Sequence, residues 1–294
     1  MADAARRRRG GEPVLTLARL KLGPEAQNAG YRLLELDAVG STNSAAMRAA
    51  REGDGGGLWV ATLHQTEGRG RRGRAWRSEP GNLAASLLMT LPAGATRAPT
   101  LGFVAGVALA RALETLMPEL ATRVALDGAD GAAAGRPARV VLKWPNDVIA
   151  DGAKLAGILL EAEAVGEGRL AVVAGFGVNV VSAPAGLPYP ATSLLALGAG
   201  HDAAAVLAAL AEAWVGAHAV WNGGQGVAEI MSEWRTRATG IGAPVAVDWH
   251  GETVRGVFKT VDAEGRLIIG RPGDADLAVT AGDVHFGVTA RAAP

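Results

Sequence analysis

The chain has 294 residues, a length that suits one large domain with a small one beside it. Apolar types make up 49% of it, so a sizeable core can form and a wholly disordered protein is excluded. The 29 basic residues are balanced by 29 acidic ones, so no net charge points to a nucleic-acid or membrane partner. Cysteine is absent, which excludes disulfides, thiolate catalysis and cysteine metal sites.

The first segment, residues 1–29, is predicted to be a flexible cytoplasmic tail. It carries four consecutive arginines at 6–9, as the start of an export signal does, but the apolar stretch that follows is interrupted by Arg19 and ends at Gly23-Pro24. The longest uninterrupted apolar run, Leu101 to Ala110, is far below the roughly 20 residues that a membrane-spanning helix needs. We therefore expect a cytoplasmic protein without a membrane partner.

Strand and helix patterns alternate from Tyr31 onward and favour an α+β fold, a mixed β-sheet packed by helices. The cluster Ser41-Thr42-Asn43-Ser44 is typical of a helix N-cap and opens a helix through Ala45–Arg51. The remaining apolar patterns predict strands at Tyr31–Leu36, Leu58–Thr62, Asn82–Leu91, Arg139–Trp144, Leu155–Glu163 and Leu170–Val181, and helices at Thr100–Met117, 202–221 and 225–238, with a flexible loop at 127–138.

The pattern changes near Gly240. Short alternating strands follow at Pro244–Trp249, Glu252–Val261, Arg266–Gly270 and Leu277–Val279, with turns between them. About fifty residues of this kind predict a small β-barrel appended to the main domain.

Four arginines lie within six residues at Arg69, Arg71, Arg72 and Arg74, with glycines between them. Such a segment repels itself and is expected to be mobile when empty. It has three interpretations: a solvated loop, a nucleic-acid contact, or a clamp that orders on a phosphorylated ligand, with backbone N–H groups around the anion. The same stretch matches G-x-G-x-x-G, but Ser78-Glu79-Pro80-Gly81 follows and cannot continue the helix that a dinucleotide site needs.

A second polar cluster, Lys143-Trp144-Pro145-Asn146-Asp147, ends a predicted strand, and the proline directs Asn146 and Asp147 away from the strand. A structural Asx-turn explains this pair equally well. Lys154 follows and leads into an apolar strand, so its ammonium is expected at a partly buried site. Only four of the 29 basic residues are lysines, and two of them fall in this stretch.

Glycines in the run Gly175-Phe176-Gly177-Val178-Asn179 weaken a strand, so they mark either a bulge or a ligand that lies against the backbone. None of the five histidines stands at ligand spacing from another histidine or a carboxylate, and G-x-S-x-G does not occur. Metal-dependent hydrolysis and a serine nucleophile are therefore disfavoured.

Taken in order, these motifs resemble the biotin protein ligases, which attach biotin to the carrier protein of acetyl-CoA carboxylase. The resemblance rests on Ser41-Thr42-Asn43, on Gln65 with the arginine run and Trp76, on residues 143–147, and on Lys-Leu-Ala-Gly-Ile-Leu at 154–159. It implies a catalytic biotin/ATP-binding domain at 30–238 and an SH3-like C-terminal domain at 239–294. The motifs cover roughly Tyr31 to Val181.

The resemblance also implies roles at the matching positions. Catalytic roles would fall to Lys154, Arg71 and, as a base for the acceptor lysine, Asp147. Biotin would be bound by Ser41, Thr42, Asn43, Gln65, Arg69, Gly70, Arg71, Lys154, Gly157 and Gly177. ATP would be bound by Arg69, Arg71, Arg74, Trp76, Lys143, Asn146, Lys154 and Asn179.

The implied reaction joins biotin and ATP, with Mg²⁺, to biotinyl-5′-AMP and pyrophosphate, and then transfers biotin to a lysine. The implied partner is the biotin carboxyl carrier protein of acetyl-CoA carboxylase, and other biotin-dependent carboxylases and a homodimer are compatible with the resemblance. Many bacterial relatives carry an N-terminal winged helix-turn-helix. The segment before Tyr31 is shorter than the ~40 residues that an independent domain normally needs, so we expect no DNA binding.

Two other functions fit parts of the pattern. A lipoate ligase or octanoyl transferase would share the fold, but its acyl pocket has no need of Ser41, Thr42 and Gln65 to hydrogen-bond a ureido ring. A nucleic-acid-binding module would use the arginines at 6–9 and 69–74, and it would bind DNA with a steep salt dependence.

Overall fold

A computed structural model describes residues 19–118, 140–249, 252–280 and 282–286. A seven-stranded sheet forms its centre, in the order β1-β2-β3-β7-β6-β5-β4. The β1 and β2 strands are parallel and all other neighbours are antiparallel, so the sheet is mixed, as predicted. The strands are β1 (Arg32–Glu35), β2 (Leu58–Thr62), β3 (Leu83–Pro92), β4 (Val140–Lys143), β5 (Asp147–Ala150), β6 (Ala153–Ala164) and β7 (Arg169–Val178).

Helices cover both faces of this sheet. The α2 helix (Thr42–Arg51) packs on one face, where Ala46 and Met47 join Val60 and Leu88 in a small apolar cluster. The other face carries α3 (Leu101–Leu116), α4 (Ala203–Trp221) and α5 (Val227–Arg237), which share the large core with the alternate residues of the same strands. The alternation of strand side chains thus supplies two apolar faces.

Two helical segments, Ala98–Leu116 and Ala203–Gly224, are long and apolar enough to cross a membrane by length and composition. Their apolar residues are used inside the protein: Leu109, Leu113, Leu207 and Leu210 are fully buried. The first segment, 67% buried, therefore has the character of a core helix, and the second, 44% buried, packs against the same core with one face.

A second sheet follows the helices, with five antiparallel strands in the order β11-β10-β9-β8-β12. They are β8 (Pro244–Trp249), β9 (Glu252–Val261), β10 (Leu267–Gly270), β11 (Leu277–Val279) and β12 (Asp283–Phe286). Phe258 and Val247 of this sheet belong to the same core as the large helices. The Trp144 Nε1–H also donates to the Gly265 carbonyl at 3.0 Å, so the small sheet is attached directly to the large one.

The tail predicted at 1–29 is wrong for its last part. Pro24–Asn28 forms α1, and Leu20, Leu22 and Ala26 are buried in the core. The Glu212 carboxylate of α4 accepts the backbone N–H groups of Glu25 and Ala26, at 2.9 and 3.2 Å, and so holds the start of this helix. Residues 1–18 and the predicted loop at 127–138 lie outside the described residues.

Sequence reasoning placed three strands between 139 and 181, and the structure has four. The extra one, β5, pairs with β6 through a two-residue turn at Asp151-Gly152, where both residues have positive φ (52° and 74°). Asp-Gly between alternating apolar residues is a strong signal for such a hairpin. Asp147, expected to project beyond a strand end, therefore begins a strand.

Candidate active site

One open cavity of about 530 Å³ lies where β6 and β7 meet the start of α2. Segments 65–76 and 143–147 line it, together with residues 188–190 and, from the small sheet, Gly282 and Val284. Of the residues predicted to bind or to catalyse, all but one line this cavity: Ser41, Thr42, Asn43, Gln65, Arg69, Gly70, Arg71, Arg74, Trp76, Lys143, Asn146, Asp147, Lys154, Gly157 and Gly177.

The exception is Asn179, which the resemblance assigned to ATP. Its side chain is buried and donates from Nδ2 to the Thr192 carbonyl at 3.0 Å. Because β7 ends at Val178, the alternation that points Gly175 and Gly177 at the cavity does not continue to Asn179. The residue is a structural link between the end of β7 and the segment after it.

The start of α2 forms one end of the cavity. Ser41 is the N-cap, with extended backbone, and its hydroxyl accepts from the Ser44 N–H at 3.4 Å. The Thr42 N–H donates to Gln65 Oε1 at 2.8 Å, and Thr42 Oγ1 lies 3.1 Å from the same oxygen. The two motifs, far apart in the chain, are thus joined by the amide of Gln65.

Two residues that sequence reasoning missed complete this end. The hydroxyl of Ser86, fully buried on β3, lies 2.7 Å from Thr42 Oγ1 and 2.6 Å from Asn43 Oδ1. The Glu161 carboxylate on β6 accepts from Asn43 Nδ2 at 2.7 Å. A hydroxyl in the middle of the apolar strand Leu83–Pro92 was the available signal for Ser86.

The arginine segment is folded on itself. The Gly70 N–H donates to the Arg74 carbonyl at 2.7 Å and the Trp76 N–H to the Gly68 carbonyl at 2.8 Å, around a short 3₁₀ turn at Arg71–Gly73. The Arg71 Nη1–H donates to the Gly282 carbonyl of the small sheet at 3.3 Å. The segment therefore extends over the cavity from the large sheet to the small one.

The glycines of β6 and β7 make room for side chains. A Cβ at Gly177 would overlap the indole of Trp76, one at Gly157 would lie 3.1 Å from it, and one at Gly175 would overlap the Asn43 amide. The ladders that pair β7 with β3 and β6 have no register shift here, so the bulge interpretation is wrong. The structure thus shows the backbone of β6 and β7 approached by Trp76 and Asn43.

Lys154 lies beside the Trp76 ring. Its Nζ is 2.7 Å from Asp147 Oδ1, and the two side chains are only 16% and 22% exposed. The same Nζ lies 5.5 Å from the ring centroid of Trp76 and 5.4 Å from that of Tyr189, a residue that sequence reasoning missed. The lysine is therefore held at the partly buried site that its position ahead of an apolar strand predicted.

The 143–147 segment is bonded to β6, the strand that carries Lys154. The Asn146 Nδ2–H donates to the Ile158 carbonyl at 2.7 Å, and the Ile158 N–H returns to the Asn146 carbonyl at 2.8 Å. Asn146 is thus fixed against β6 while it lines the cavity. Within the described ranges, no three His, Asp or Glu side chains come together in a way that could hold a metal ion.

Comparisons with known proteins show the family and the fold. Residues 41–179 match the model of the biotin/lipoate A/B protein ligase family. Over 253 residues the chain is 36% identical to a biotin–[acetyl-CoA-carboxylase] ligase of Paracoccus denitrificans, covering 84% of this chain and 97% of that protein. It is 33% identical over 265 residues to the Mycobacterium tuberculosis protein of the same name, covering 87% of this chain and 90% of that one.

A solved structure has the same fold. The biotin protein ligase of Aquifex aeolicus, in complex with biotin and ATP, superposes with a TM-score of 0.65 at 22% identity, over 87% of this chain and 98% of that one.

Proposed function

This chain belongs to the biotin/lipoate A/B protein ligase family, and we propose that it ligates biotin, at the expense of ATP, to a lysine of the biotin carboxyl carrier protein of acetyl-CoA carboxylase. The observation that carries the proposal is that one cavity contains both a set of hydrogen-bonding side chains and a set of cationic side chains. A hydrogen-bonding end built by Thr42 and Gln65 lies in the same space as Lys154 and the arginine segment.

The first step brings two anions together. An oxygen of the biotin carboxylate attacks the α-phosphorus of ATP, the bond from that phosphorus to the β-phosphate oxygen breaks, and pyrophosphate leaves. Lys154 and Arg71 lower the repulsion between the reactants and stabilise the charge that develops on the phosphoryl oxygens. The rings of Trp76 and Tyr189, both within 5.5 Å of the Lys154 ammonium, are placed to keep water away from the acyl phosphate.

The second step transfers the biotinyl group. The ε-amine of the carrier lysine attacks the acyl carbon, the bond to the phosphate oxygen breaks, and AMP leaves. The amine has to lose a proton first, and Asp147 is the carboxylate among the cavity-lining residues that can accept it. This carboxylate is paired with Lys154 at 2.7 Å, so the ammonium has to release Asp147 before the carboxylate can accept the proton.

The binding assignments follow the two ends of the cavity. At the hydrogen-bonding end, Ser41, Thr42, Asn43, Gln65, Arg69 and Gly70 would hold biotin. Around Lys154, the residues Arg71, Arg74, Trp76, Lys143 and Asn146 would hold the nucleotide. Gly157 and Gly177 contribute by giving space to Trp76. Asn179 does not line the cavity, and its contact with ATP stays a prediction.

Magnesium fits this site as a companion of ATP. Mg²⁺ prefers oxygen ligands and is commonly bound through substrate phosphates and water with one or two carboxylates. Among the cavity-lining residues the one carboxylate is Asp147. When bound with ATP, the ion would neutralise phosphate charge and favour the departure of pyrophosphate.

The experiment that tests the proposal is mass spectrometry of a recombinant carrier domain after incubation with this protein, biotin and ATP. The expected result is the mass increase of one biotinyl group, with pyrophosphate released only when biotin is present. Lipoate and octanoate serve as competitors. A modification with lipoate or octanoate in place of biotin would contradict the assignment and favour the other branch of the family.

Several expectations remain predictions. These are the closure of the small sheet into an SH3-like barrel, homodimer formation, action on other biotin-dependent carboxylases, cytoplasmic location and the lack of DNA binding. Salt-dependent DNA retention that is independent of biotin and ATP would contradict the last of these.

A further inference from the structure

Glu161 lies on β6 with a side chain 36% exposed, and it contacts Asn43 and Arg69, which line the cavity. We propose that it is a positioning residue for biotin recognition, because its carboxylate sets the direction of the hydrogen bonds from Asn43 through Ser86 to Thr42 and also holds Arg69. The inference rests on the proposed function and adds a residue to it. It is carried by the hydrogen-bond capacities of the four side chains.

The orientation of the Asn43 amide is determined by its two partners. Its Nδ2 lies 2.7 Å from Glu161 Oε2 and 3.3 Å from the Leu159 carbonyl oxygen. Both oxygens can only accept hydrogen bonds, so the NH₂ group of Asn43 has to point at them. The carbonyl oxygen of the same amide therefore points at Ser86 Oγ, 2.6 Å away.

The orientation of the Asn43 amide determines where the hydroxyl protons of Ser86 and Thr42 point. Ser86 has a single proton, and Asn43 Oδ1 can only accept, so the Ser86 proton goes to Asn43. The 2.7 Å contact between Ser86 Oγ and Thr42 Oγ1 then needs the proton of Thr42. Gln65 Oε1, close to the same hydroxyl, is satisfied by the Thr42 backbone N–H at 2.8 Å.

The consequence is a defined polarity at the cavity wall. With its proton directed to Ser86, Thr42 Oγ1 presents a lone pair to the cavity that it lines. A lone pair accepts an N–H group and repels a carbonyl, and a cyclic urea such as that of biotin carries N–H donors. The carboxylate of Glu161 thus determines, through two buried groups, which part of the ligand Thr42 accepts.

The same carboxylate holds the arginine segment. Arg69 Nη2 lies 3.2 Å from Glu161 Oε1 and 3.3 Å from Oε2. A glutamine at this position would keep the shape, but its amide nitrogen would oppose one of the two donors, Asn43 or Arg69. One substitution therefore breaks one of the two contacts and weakens the other by removing the charge, without leaving a cavity.

The experiment is isothermal titration of biotin into the full chain, comparing wild type, Glu161→Gln and Glu163→Gln. Glu163 is the matched control because it lies two residues further on the same strand and also accepts from an arginine, Arg51 Nε at 2.8 Å, away from the cavity. We expect Glu161→Gln to raise the Kd for biotin about tenfold. Glu163→Gln is expected to stay within about twofold.

Steady-state pyrophosphate release adds a readout that a merely structural role would not separate. Glu161→Gln should raise the KM for biotin more than the KM for ATP. A second variant, Ser86→Ala, interrupts the chain one step away and leaves the contact between Glu161 and Arg69; it should also weaken biotin binding.

Equal biotin affinities for the two glutamine variants, or an unchanged affinity in Ser86→Ala, would overturn the role of Glu161. A wild-type protein that binds no biotin would instead contradict the proposed function itself.

Discussion

At the scale of single residues, Lys154 is held by an ion pair and by two aromatic rings. Its ammonium lies 2.7 Å from Asp147 in the cavity where we place the phosphoryl transfer. We expect Lys154→Ala to lower the rate of biotin-dependent pyrophosphate release by about 10²–10³, which corresponds to the loss of one transition-state donor.

The matched control for this substitution is Lys259→Ala. Lys259 also forms an ion pair, with Asp276 at 2.7 Å, but it is exposed on the small sheet. Its replacement should leave the rate unchanged. Near-normal turnover in Lys154→Ala, measured in the same pyrophosphate assay, would remove Lys154 from the mechanism.

Gly177 gives a second prediction at this scale. A Cβ there would overlap the indole of Trp76, so Gly177→Ala should displace the ring from its place beside Lys154. We expect an increase in the KM for ATP and a change in the tryptophan emission. Gly94→Ala is the control, since nothing lies within 4 Å of its added Cβ. Equal behaviour of the two variants would show that the position of Trp76 has no role.

Single residues were predictable from sequence where a motif carried them. Lys154 and Gln65 were found because their neighbours form unusual patterns. Glu161 could not be found in this way, because an acidic residue near the end of a strand is ordinary until the fold brings Asn43 and Arg69 to it. Tyr189 lies in an irregular segment whose path depends on contacts distant in the chain.

At the scale of elements, the segment that carries Tyr189 is held where it leaves β7. The buried Asn82 side chain accepts through Oδ1 from the N–H groups of Val180 and Val181, at 2.8 and 2.9 Å, and donates to the Ser182 carbonyl at 2.9 Å. Asn82→Ala would leave these groups without partners, so we expect a loss of about 1–3 kcal/mol in the free energy of unfolding and a higher KM for ATP.

Asn82→Asp separates the two accepted hydrogen bonds from the donated one, because it keeps the accepting oxygen and loses the Nδ2 donor. Chemical denaturation of both variants is the measurement. The aspartate variant should lose less stability than the alanine variant, and the reverse order would contradict the argument.

The α4 helix contains a titratable residue in an aromatic stack. His218 lies between Trp214 and Trp221, with ring centroids 5.6 Å from each, and burial lowers its pKa below the ordinary 6.5. Between the folded-state pKa of His218 and the ordinary 6.5, the unfolded chain therefore binds a proton that the folded chain does not bind. Stability is retained above about pH 6.5 and falls as the pH decreases through the folded-state pKa.

Thermal unfolding from about pH 8 to about pH 5 checks this pH dependence. His218→Gln should remove part of the decrease in Tm. His201→Gln is the control, since His201 is exposed and bonded to the Leu116 carbonyl at the end of α3. The same slope in wild type and His218→Gln would contradict the assignment.

Elements followed from sequence where a long apolar period defined them, as in α3, α4 and β7. The β5 strand was missed because its four residues, beginning with Asp147, are too few to show an alternating apolar pattern. The Asp151-Gly152 pair was a signal for the hairpin turn. The helix at Pro24–Asn28 was missed because its stability comes from Glu212, a residue distant in the chain.

At the scale of the whole molecule, the two sheets share one core. Phe258 and Val247 pack in the cluster that includes α3 and α4, and the Arg235 Nη1–H of α5 donates to the Val261 carbonyl at 3.1 Å. We therefore expect calorimetry to show one unfolding transition with equal calorimetric and van't Hoff enthalpies. Two resolved transitions would contradict the shared core and favour the separate domains that the sequence predicted at 30–238 and 239–294.

The β6 strand carries a further consequence for the whole protein. Lys154 lies near its start, and Leu159, whose carbonyl meets Asn43, lies five residues on, at most about 17 Å away at the usual rise of an antiparallel strand. This strand pairs without interruption with β7 from Ala156 to Ala164, whereas its pairing with β5 is irregular between Lys154 and Ala156. The length of acid that can reach both ends is therefore set largely by the main chain of one strand, with the irregular pairing at Leu155 placing the ammonium.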